Sequence, residues 1–125
     1  MNMTMTESTI TEKLTFLLGI VFVVVGIAGF VGGGHHHSLI LFGVNTNHNA
    51  VHIVSGFLAM IAARAGYTSA RIFCIVFGIT YGLVTIGGFL GAASISNALN
   101  LNMADNWLHL IVSVAFLYLG FKSKI

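Results

Sequence analysis

The chain has 125 residues, of which 57% are hydrophobic and 6% are charged, and its net charge is +2. Soluble domains carry about 25% charged residues, so this composition excludes a water-soluble globular protein and predicts an integral membrane protein. The small net charge gives no basis for binding nucleic acid. The single cysteine excludes an intrachain disulfide.

A helix needs about 20 residues to cross a hydrocarbon core, and four apolar stretches are candidates, although the second and fourth are short. In chain order they are 14–31, 52–63, 71–93 and 107–121. Two loops, 32–47 and 94–104, are expected on one side of the membrane, and a tight turn, 64–70, on the other. The sequence therefore predicts an all-α, up-and-down bundle of four transmembrane helices. This domain covers 13–125 and follows a flexible polar segment, 1–12.

All the Lys and Arg residues fall on one side of this predicted bundle: Lys13, Arg64, Arg71, Lys122 and Lys124. The positive-inside rule then places both termini and the 64–70 turn in the cytoplasm and the two loops outside. We expect a multi-pass protein of the cytoplasmic (inner) membrane that contacts lipid. It is expected to join a larger membrane complex or to form a homo-oligomer.

One polar pattern, N-x-x-[HD]-N-x-x-H, occurs twice, each time at the start of an apolar helix. It reads NTNHNAVH at 45–52 and NMADNWLH at 102–109. GFVG at 29–32 in the first apolar stretch similarly matches GFLG at 88–91 in the third. We therefore predict two parallel helix–loop–helix repeats, 13–64 and 70–122. Parallel repeats are related by an axis along the membrane normal, which brings the two polar helix starts to equal depth.

Each copy of the pattern carries a pair of metal-ligand residues four positions apart, and such residues share one face of a helix. His48 and His52 form the first pair, and Asp105 and His109 form the second. Three imidazoles and one carboxylate are a suitable ligand set for Cu or Zn. Asparagines of the pattern are expected to support these ligands by hydrogen bonds: Asn45, Asn49, Asn102 and Asn106. Three histidines that follow a run of glycines are candidate further ligands: His35, His36 and His37.

Two other interpretations of the pattern remain open. Asn and Asp are good helix N-caps, so the pattern is also explained by capping and by hydrogen bonds that hold the helices in register. Alternatively, His52 and His109 would supply both axial ligands of a haem. Their expected position at the rim of the bundle fits a haem less well than a bare ion.

The segments NHNAVH (47–52) and ADNWLHL (104–110) resemble the signatures of a bacterial family of unknown function. Its members are small four-helix membrane proteins with N-x-x-H near the second helix and D-N-x-x-H-L at the start of the fourth. The resemblance covers 14–121 and implies a four-span bundle in a prokaryotic cytoplasmic membrane. It implies no activity, and the histidine triplet is not part of the pattern.

Known catalytic motifs such as H-E-x-x-H, C-x-x-C and the phosphate-binding loop do not occur in the sequence. Asp105 is the only acidic residue near the predicted spans. We therefore expect a non-enzymatic accessory subunit or scaffold whose outward-facing polar cluster binds Cu or Zn. The alternative is an electron-transfer or oxidase-associated protein that holds haem or copper at this cluster.

Overall fold

The computed structural model describes residues 8–32, 38–39 and 42–124. Within these residues the chain forms five helices and one short hairpin, in the order α1 (Ile10–Gly32), β1 (Ser38–Leu39), β2 (Phe42–Gly43), α2 (Thr46–Ala65), α3 (Tyr67–Phe89), α4 (Ala93–Leu99) and α5 (Met103–Phe121). The two strands are antiparallel and very short. The predicted all-α class is therefore confirmed, with this hairpin as the one β element described.

Three helices are long and apolar enough to cross a membrane by length and composition: α1, α3 and α5. Together they indicate an integral membrane protein. Helix α2 has 20 residues, which is about 30 Å at 1.5 Å per residue. It does not reach the same hydropathy, because its first two turns carry asparagine and histidine.

Helix α1 begins at Ile10, inside the segment 1–12 that the sequence predicts to be flexible. Thr9 and Glu12 form a capping box at this point. The Glu12 backbone N–H donates to Thr9 Oγ1 at 3.2 Å, and the Thr9 backbone N–H donates to Glu12 Oε1 at 3.2 Å. The T-x-x-E spacing of the sequence thus starts the helix earlier than hydrophobicity alone indicates.

The connections between helices contain more regular structure than predicted. The turn expected at 64–70 is reduced to Gly66, since α2 ends at Ala65 and α3 begins at Tyr67. Gly66 has a φ of 119°, a conformation in which a side chain would be strained. The loop expected at 94–104 contains most of the short helix α4.

The long helices pack in two pairs, α1 against α2 and α3 against α5. In each pair an asparagine lies against a glycine of the neighbouring helix. A Cβ atom at Gly29 would collide with Asn49 Oδ1, and a Cβ atom at Gly88 would collide with Asn106 Oδ1. Both asparagines are buried. The missing glycine side chains therefore let the polar starts of α2 and α5 approach their neighbours closely.

The two helix pairs meet in an aromatic core. The ring of Phe22 on α1 lies 5.5 Å from Tyr81 on α3 and 5.8 Å from Phe116 on α5, measured between centroids. Farther from the polar helix starts, Thr15 Oγ1 and Cys74 Sγ lie 3.1 Å apart and are fully buried. Side chains of α1 and α3 thus face each other along the centre of the bundle.

The cationic residues gather where α1 and α3 begin and α2 and α5 end. Arg71 Nε donates to the Gly120 carbonyl oxygen at 2.8 Å, and Arg64 lies over the Phe16 ring at 5.0 Å. The polar starts of α2 and α5 lie at the opposite end of the bundle, together with the hairpin and α4. The two ends of the molecule therefore differ in charge.

We predict that Gly29→Ala destabilises the protein by about 1–3 kcal/mol, the usual cost of overpacking. The added methyl group would collide with the amide of Asn49, so the loss should shrink when Asn49→Ala is made in the same chain. Asn106→Ala is the matched control, because this asparagine lies against Gly88 and not Gly29. Unfolding of the detergent-solubilised protein measures the effect, and equal losses in both backgrounds would contradict the Gly29–Asn49 contact.

Candidate metal centre

The helices that carry the candidate ligands begin with equivalent asparagine caps. Asn45 Oδ1 accepts a hydrogen bond from the His48 backbone N–H at 2.8 Å. Asn102 Oδ1 accepts one from the Asp105 N–H at 2.9 Å, and Asp105 Oδ2 in turn accepts from the Asn102 N–H at 2.9 Å. The capping interpretation of the first asparagine in each pattern is thus confirmed. Each cap determines where its helix begins, and so the direction in which the following side chains point.

Three histidines of the two patterns come together between α2 and α5. The ring centroids of His48 and His52 are 4.5 Å apart, those of His48 and His109 are 5.4 Å apart, and those of His52 and His109 are 6.1 Å apart. One nitrogen from each ring can be chosen so that all three lie within 4.8 Å of one another. All three side chains are buried, with 1%, 6% and 2% of their surface exposed. The cluster is therefore inside the bundle and not at its rim.

Asp105, the fourth predicted ligand, is engaged by the backbone. Its Oδ2 atom accepts hydrogen bonds from the N–H groups of Asn102 and Gly43, both at 2.9 Å. The carboxyl group lies close enough to His48 to interact with it electrostatically. It does not belong to the group of three side chains whose ligand atoms converge. The structure therefore brings together three of the four predicted ligands, with Asp105 beside them.

The second asparagine of each pattern has a packing position. Asn49 and Asn106 face Gly29 and Gly88, and among the described residues their Oδ1 atoms accept no hydrogen bond. Within the described residues, these two oxygens therefore make no hydrogen bond to a histidine ring. The triplet of His35, His36 and His37 lies outside the described residues.

The imidazoles themselves are short of partners. Within the described part of the chain, five buried ring nitrogens make no hydrogen bond: both of His48, both of His109, and Nδ1 of His52. Backbone groups of Gly43 and Leu99 lie beside the His48 ring, but neither meets hydrogen-bond geometry. An unsatisfied buried donor or acceptor costs about 1–3 kcal/mol, so a cluster of five requires a physical explanation.

Aromatic side chains surround the cluster on the side of the bundle core. The Phe22 ring lies 5.4 Å from His52, and the Tyr81 ring lies 5.6 Å from His109. The Tyr81 hydroxyl donates to Ser55 Oγ at 3.2 Å. Neither ring is part of the polar pattern from which the ligands were predicted, but the repeat contains a signal for both, because Phe22 and Tyr81 lie equally far before the GFVG and GFLG segments.

Hydrogen bonds close the polar end of the bundle above the cluster. The side-chain amides of Asn45 and Asn47 donate to the Ala98 carbonyl oxygen at 2.9 and 3.1 Å. Asn100 Nδ2 donates to the Val44 carbonyl oxygen at 3.0 Å, and Val44 is buried. These hydrogen bonds connect the start of α2 and the residues before it to the end of α4, close to His48 in the first turn of α2.

Two small cavities flank the histidine rings. One of about 80 Å³ lies between α2 and α3, and one of about 90 Å³ lies between α1 and α5. His52 and His109 line both cavities, and His48 lines the first. Apart from these rings, their walls are mainly apolar. The cluster is therefore flanked by free space on two sides.

Comparison with protein-family models gives a match over residues 13–122, to a family described as domain of unknown function DUF4383. The chain belongs to this family. Searches of curated proteins and of solved structures gave no match. The predicted membership of an uncharacterised domain family is confirmed, and the match assigns no activity to the DUF4383 fold.

In this DUF4383 protein, Asp105→Ala is predicted to lower the free energy of unfolding by about 3 kcal/mol, because two backbone N–H groups lose their acceptor. Asp105→Asn keeps a carbonyl oxygen and should lose less. Asn47→Ala is the control, since it removes only one exposed hydrogen bond. Denaturation in detergent compares the three variants, and wild-type stability of Asp105→Ala would contradict the structural role of the carboxyl group.

Proposed function

We propose that this protein is a multi-pass membrane protein that binds one Cu or Zn ion through His48, His52 and His109. The observation that carries the proposal is the convergence of three buried imidazoles, five of whose six nitrogens make no hydrogen bond within the described residues. An ion bound by one nitrogen of each ring would give at least two of these five atoms a partner. Without an ion, these nitrogens have no hydrogen-bond partner within the described residues.

The geometry is close to that of a metal site. With Zn–N bonds of about 2.0 Å, the nitrogens of a tetrahedral site lie roughly 3.3 Å apart. The three nitrogens lie within 4.8 Å of one another, so side-chain rotation or a small helix shift would close the site. Imidazole is a suitable ligand for both zinc and copper. The nearby carboxyl group of Asp105 would offset part of the charge of the buried ion.

The available space favours a bare ion over haem. Sites for organic ligands of drug size have volumes of about 300–1,000 Å³. The cavities beside the rings have volumes of about 80 and 90 Å³. In addition, Phe22 and Tyr81 occupy the space next to His52 and His109. A porphyrin would have to displace these rings from the core.

We also propose that α2 crosses the membrane, so that the bundle has four spans. The polar side chains that lower its hydropathy, among them His48, Asn49 and His52, are buried against other helices. The exposed side chains in its middle are apolar: Ala50, Val51, Val54, Phe57, Leu58 and Ile61. The surface that α2 would present to lipid is therefore apolar, which is the property that membrane insertion requires.

Equivalent contacts in the two helix pairs support the proposed internal repeat. The Gly29–Asn49 contact has its counterpart in Gly88–Asn106, and the cap at Asn45 has its counterpart at Asn102. Two parallel repeats would put the histidines of α2 and α5 at the same depth. With the cationic end in the cytoplasm, the histidine cluster would lie toward the outer leaflet.

The proposed role is that of an accessory subunit or scaffold that keeps a metal ion in the membrane. The alternative role is electron transfer or association with an oxidase. That role needs a metal that changes its oxidation state, which copper does and zinc does not. The identity of the metal therefore separates the two roles.

We predict about one Cu or Zn ion per chain when the protein is purified without a histidine tag, as measured by elemental mass spectrometry. His52→Ala and His109→Ala should each lose most of the ion, because two imidazoles hold these metals far more weakly than three. Size-exclusion chromatography should confirm that both variants remain monodisperse.

The matched control replaces the histidine triplet of the sequence, His35, His36 and His37, with alanine. This variant should keep its metal. Retention of the ion by His52→Ala and His109→Ala, or its loss only in the triplet variant, would contradict the proposed site. Asp105→Asn is expected to keep the ion. Loss of the ion from this variant would instead support Asp105 as the fourth ligand, as predicted from the sequence.

The four-span topology predicts that the two ends of the chain lie on the same side of the membrane. In a Cys74→Ser background, Ser8→Cys and Ser123→Cys should react with a membrane-impermeant maleimide only after the cells are permeabilised. Asn97→Cys, at the opposite end of the bundle, should react in intact cells. Labelling of Ser8→Cys and Ser123→Cys from opposite sides would show that α2 does not cross the membrane.

A further inference from the structure

We infer that the three-histidine site is reached from the lipid through the two lateral cavities, and that it accepts a neutral diatomic molecule as its fourth ligand. The inference rests on the proposed function, because it needs a metal ion at His48, His52 and His109. It adds the chemical class of the ligand and the direction from which the ligand arrives.

The route from the aqueous end is covered. His48, the ligand nearest to that end, is 1% exposed. The Gly43 N–H bonds to Asp105, and the amides of Asn45 and Asn47 bond to the end of α4. Hydrogen-bonded backbone therefore lies between the described polar surface and the rings. A ligand that entered here would have to break several of these bonds.

The sides of the bundle are more open. The cavity between α2 and α3 is lined in part by Val51, which is 42% exposed, and the cavity between α1 and α5 is lined in part by Val21, which is 47% exposed. Both positions lie on the apolar flanks of the bundle, which face hydrocarbon in a membrane. His52 and His109 form a common wall of the two cavities, so both routes end at the same pair of ligands.

The walls suit an uncharged molecule. Neither cavity is lined by a Lys, Arg, Asp or Glu residue among the described residues. The hydroxyl groups present are already engaged: Thr80 Oγ1 donates to the Val76 carbonyl oxygen and Tyr81 donates to Ser55. An ion would thus leave water for lipid and then enter a cavity without a charged partner, at high cost. A neutral, lipid-soluble molecule meets neither penalty.

The volumes limit the size of the ligand. An apolar cavity of about 150 Å³ binds benzene, whereas a water molecule takes about 30 Å³. Cavities of about 80 and 90 Å³ lie between these sizes and fit a diatomic molecule. Three protein ligands leave the fourth position of a tetrahedral metal site open. Reduced copper binds neutral diatomic molecules such as carbon monoxide and dioxygen, and zinc does not, so the inference requires copper.

The test uses carbon monoxide as the probe and the full-length, copper-loaded and reduced protein in lipid nanodiscs. An infrared band of metal-bound carbon monoxide is expected, together with rapid rebinding after photolysis. Val25→Phe and Val84→Phe, combined in one chain, fill both cavities from half-buried positions in their walls. This variant should rebind carbon monoxide roughly tenfold more slowly, which corresponds to a barrier increase of about 1.4 kcal/mol, or should lose the band.

The matched control is Val24→Phe combined with Leu83→Phe. These neighbouring residues on α1 and α3 are 57% and 62% exposed and line neither cavity, so rebinding should stay at the wild-type rate. Three results would overturn the inference but not the metal site. They are full copper content without a carbon monoxide band, equal rebinding rates in all variants, and a site that binds only zinc. Absence of any bound metal would overturn the proposed function itself.

Discussion

A buried polar group in a membrane protein must find its partner inside the protein, because lipid tails accept and donate no hydrogen bonds. This constraint governs the end of the bundle where α2 and α5 begin. Their asparagine caps satisfy the first backbone N–H groups, and Asp105 satisfies two more. The histidine rings are the exception, since most of their nitrogens have no partner among the described residues. The proposed metal ion would supply a partner to these nitrogens.

The glycine–asparagine contacts explain how the rings come to face one another. Asn49 lies against α1 at Gly29, and Asn106 lies against α3 at Gly88. Once these amides are placed, the helical repeat turns the histidines of α2 and α5 toward the centre of the bundle, where His52 contacts Phe22 and His109 contacts Tyr81. The same contacts bring the helices close together, which leaves only small cavities beside the rings. The glycine–asparagine contacts therefore explain both the orientation of the histidine rings and the small size of the cavities beside them.

The three histidines of the candidate site could be predicted because the pattern that carries them is local. The spacing of His48 and His52 places them on one face of α2, and the second copy of the pattern directs attention to His109. The role of Asp105 could not be predicted in the same way, since a carboxyl group in the first turn of a helix either binds a ligand or caps the backbone. In the structure the Asn102 N–H and the Gly43 N–H both donate to it, and the second of these comes from a distant segment. The same ambiguity applies to Asn49, whose contact depends on where α1 lies.

The sequence by itself determined the class of the protein, its family, the apolar helices and the polar pattern at two helix starts. These depend on composition and on spacings of three or four residues, which act within one helix. Only the tertiary structure decided that three histidines converge, that Phe22 and Tyr81 pack against them, and that cavities flank them on two sides. Those properties depend on the distance and rotation between helices that are far apart in the chain. Side-chain packing sets both quantities, and small residues such as Gly29 and Gly88 permit the close approach.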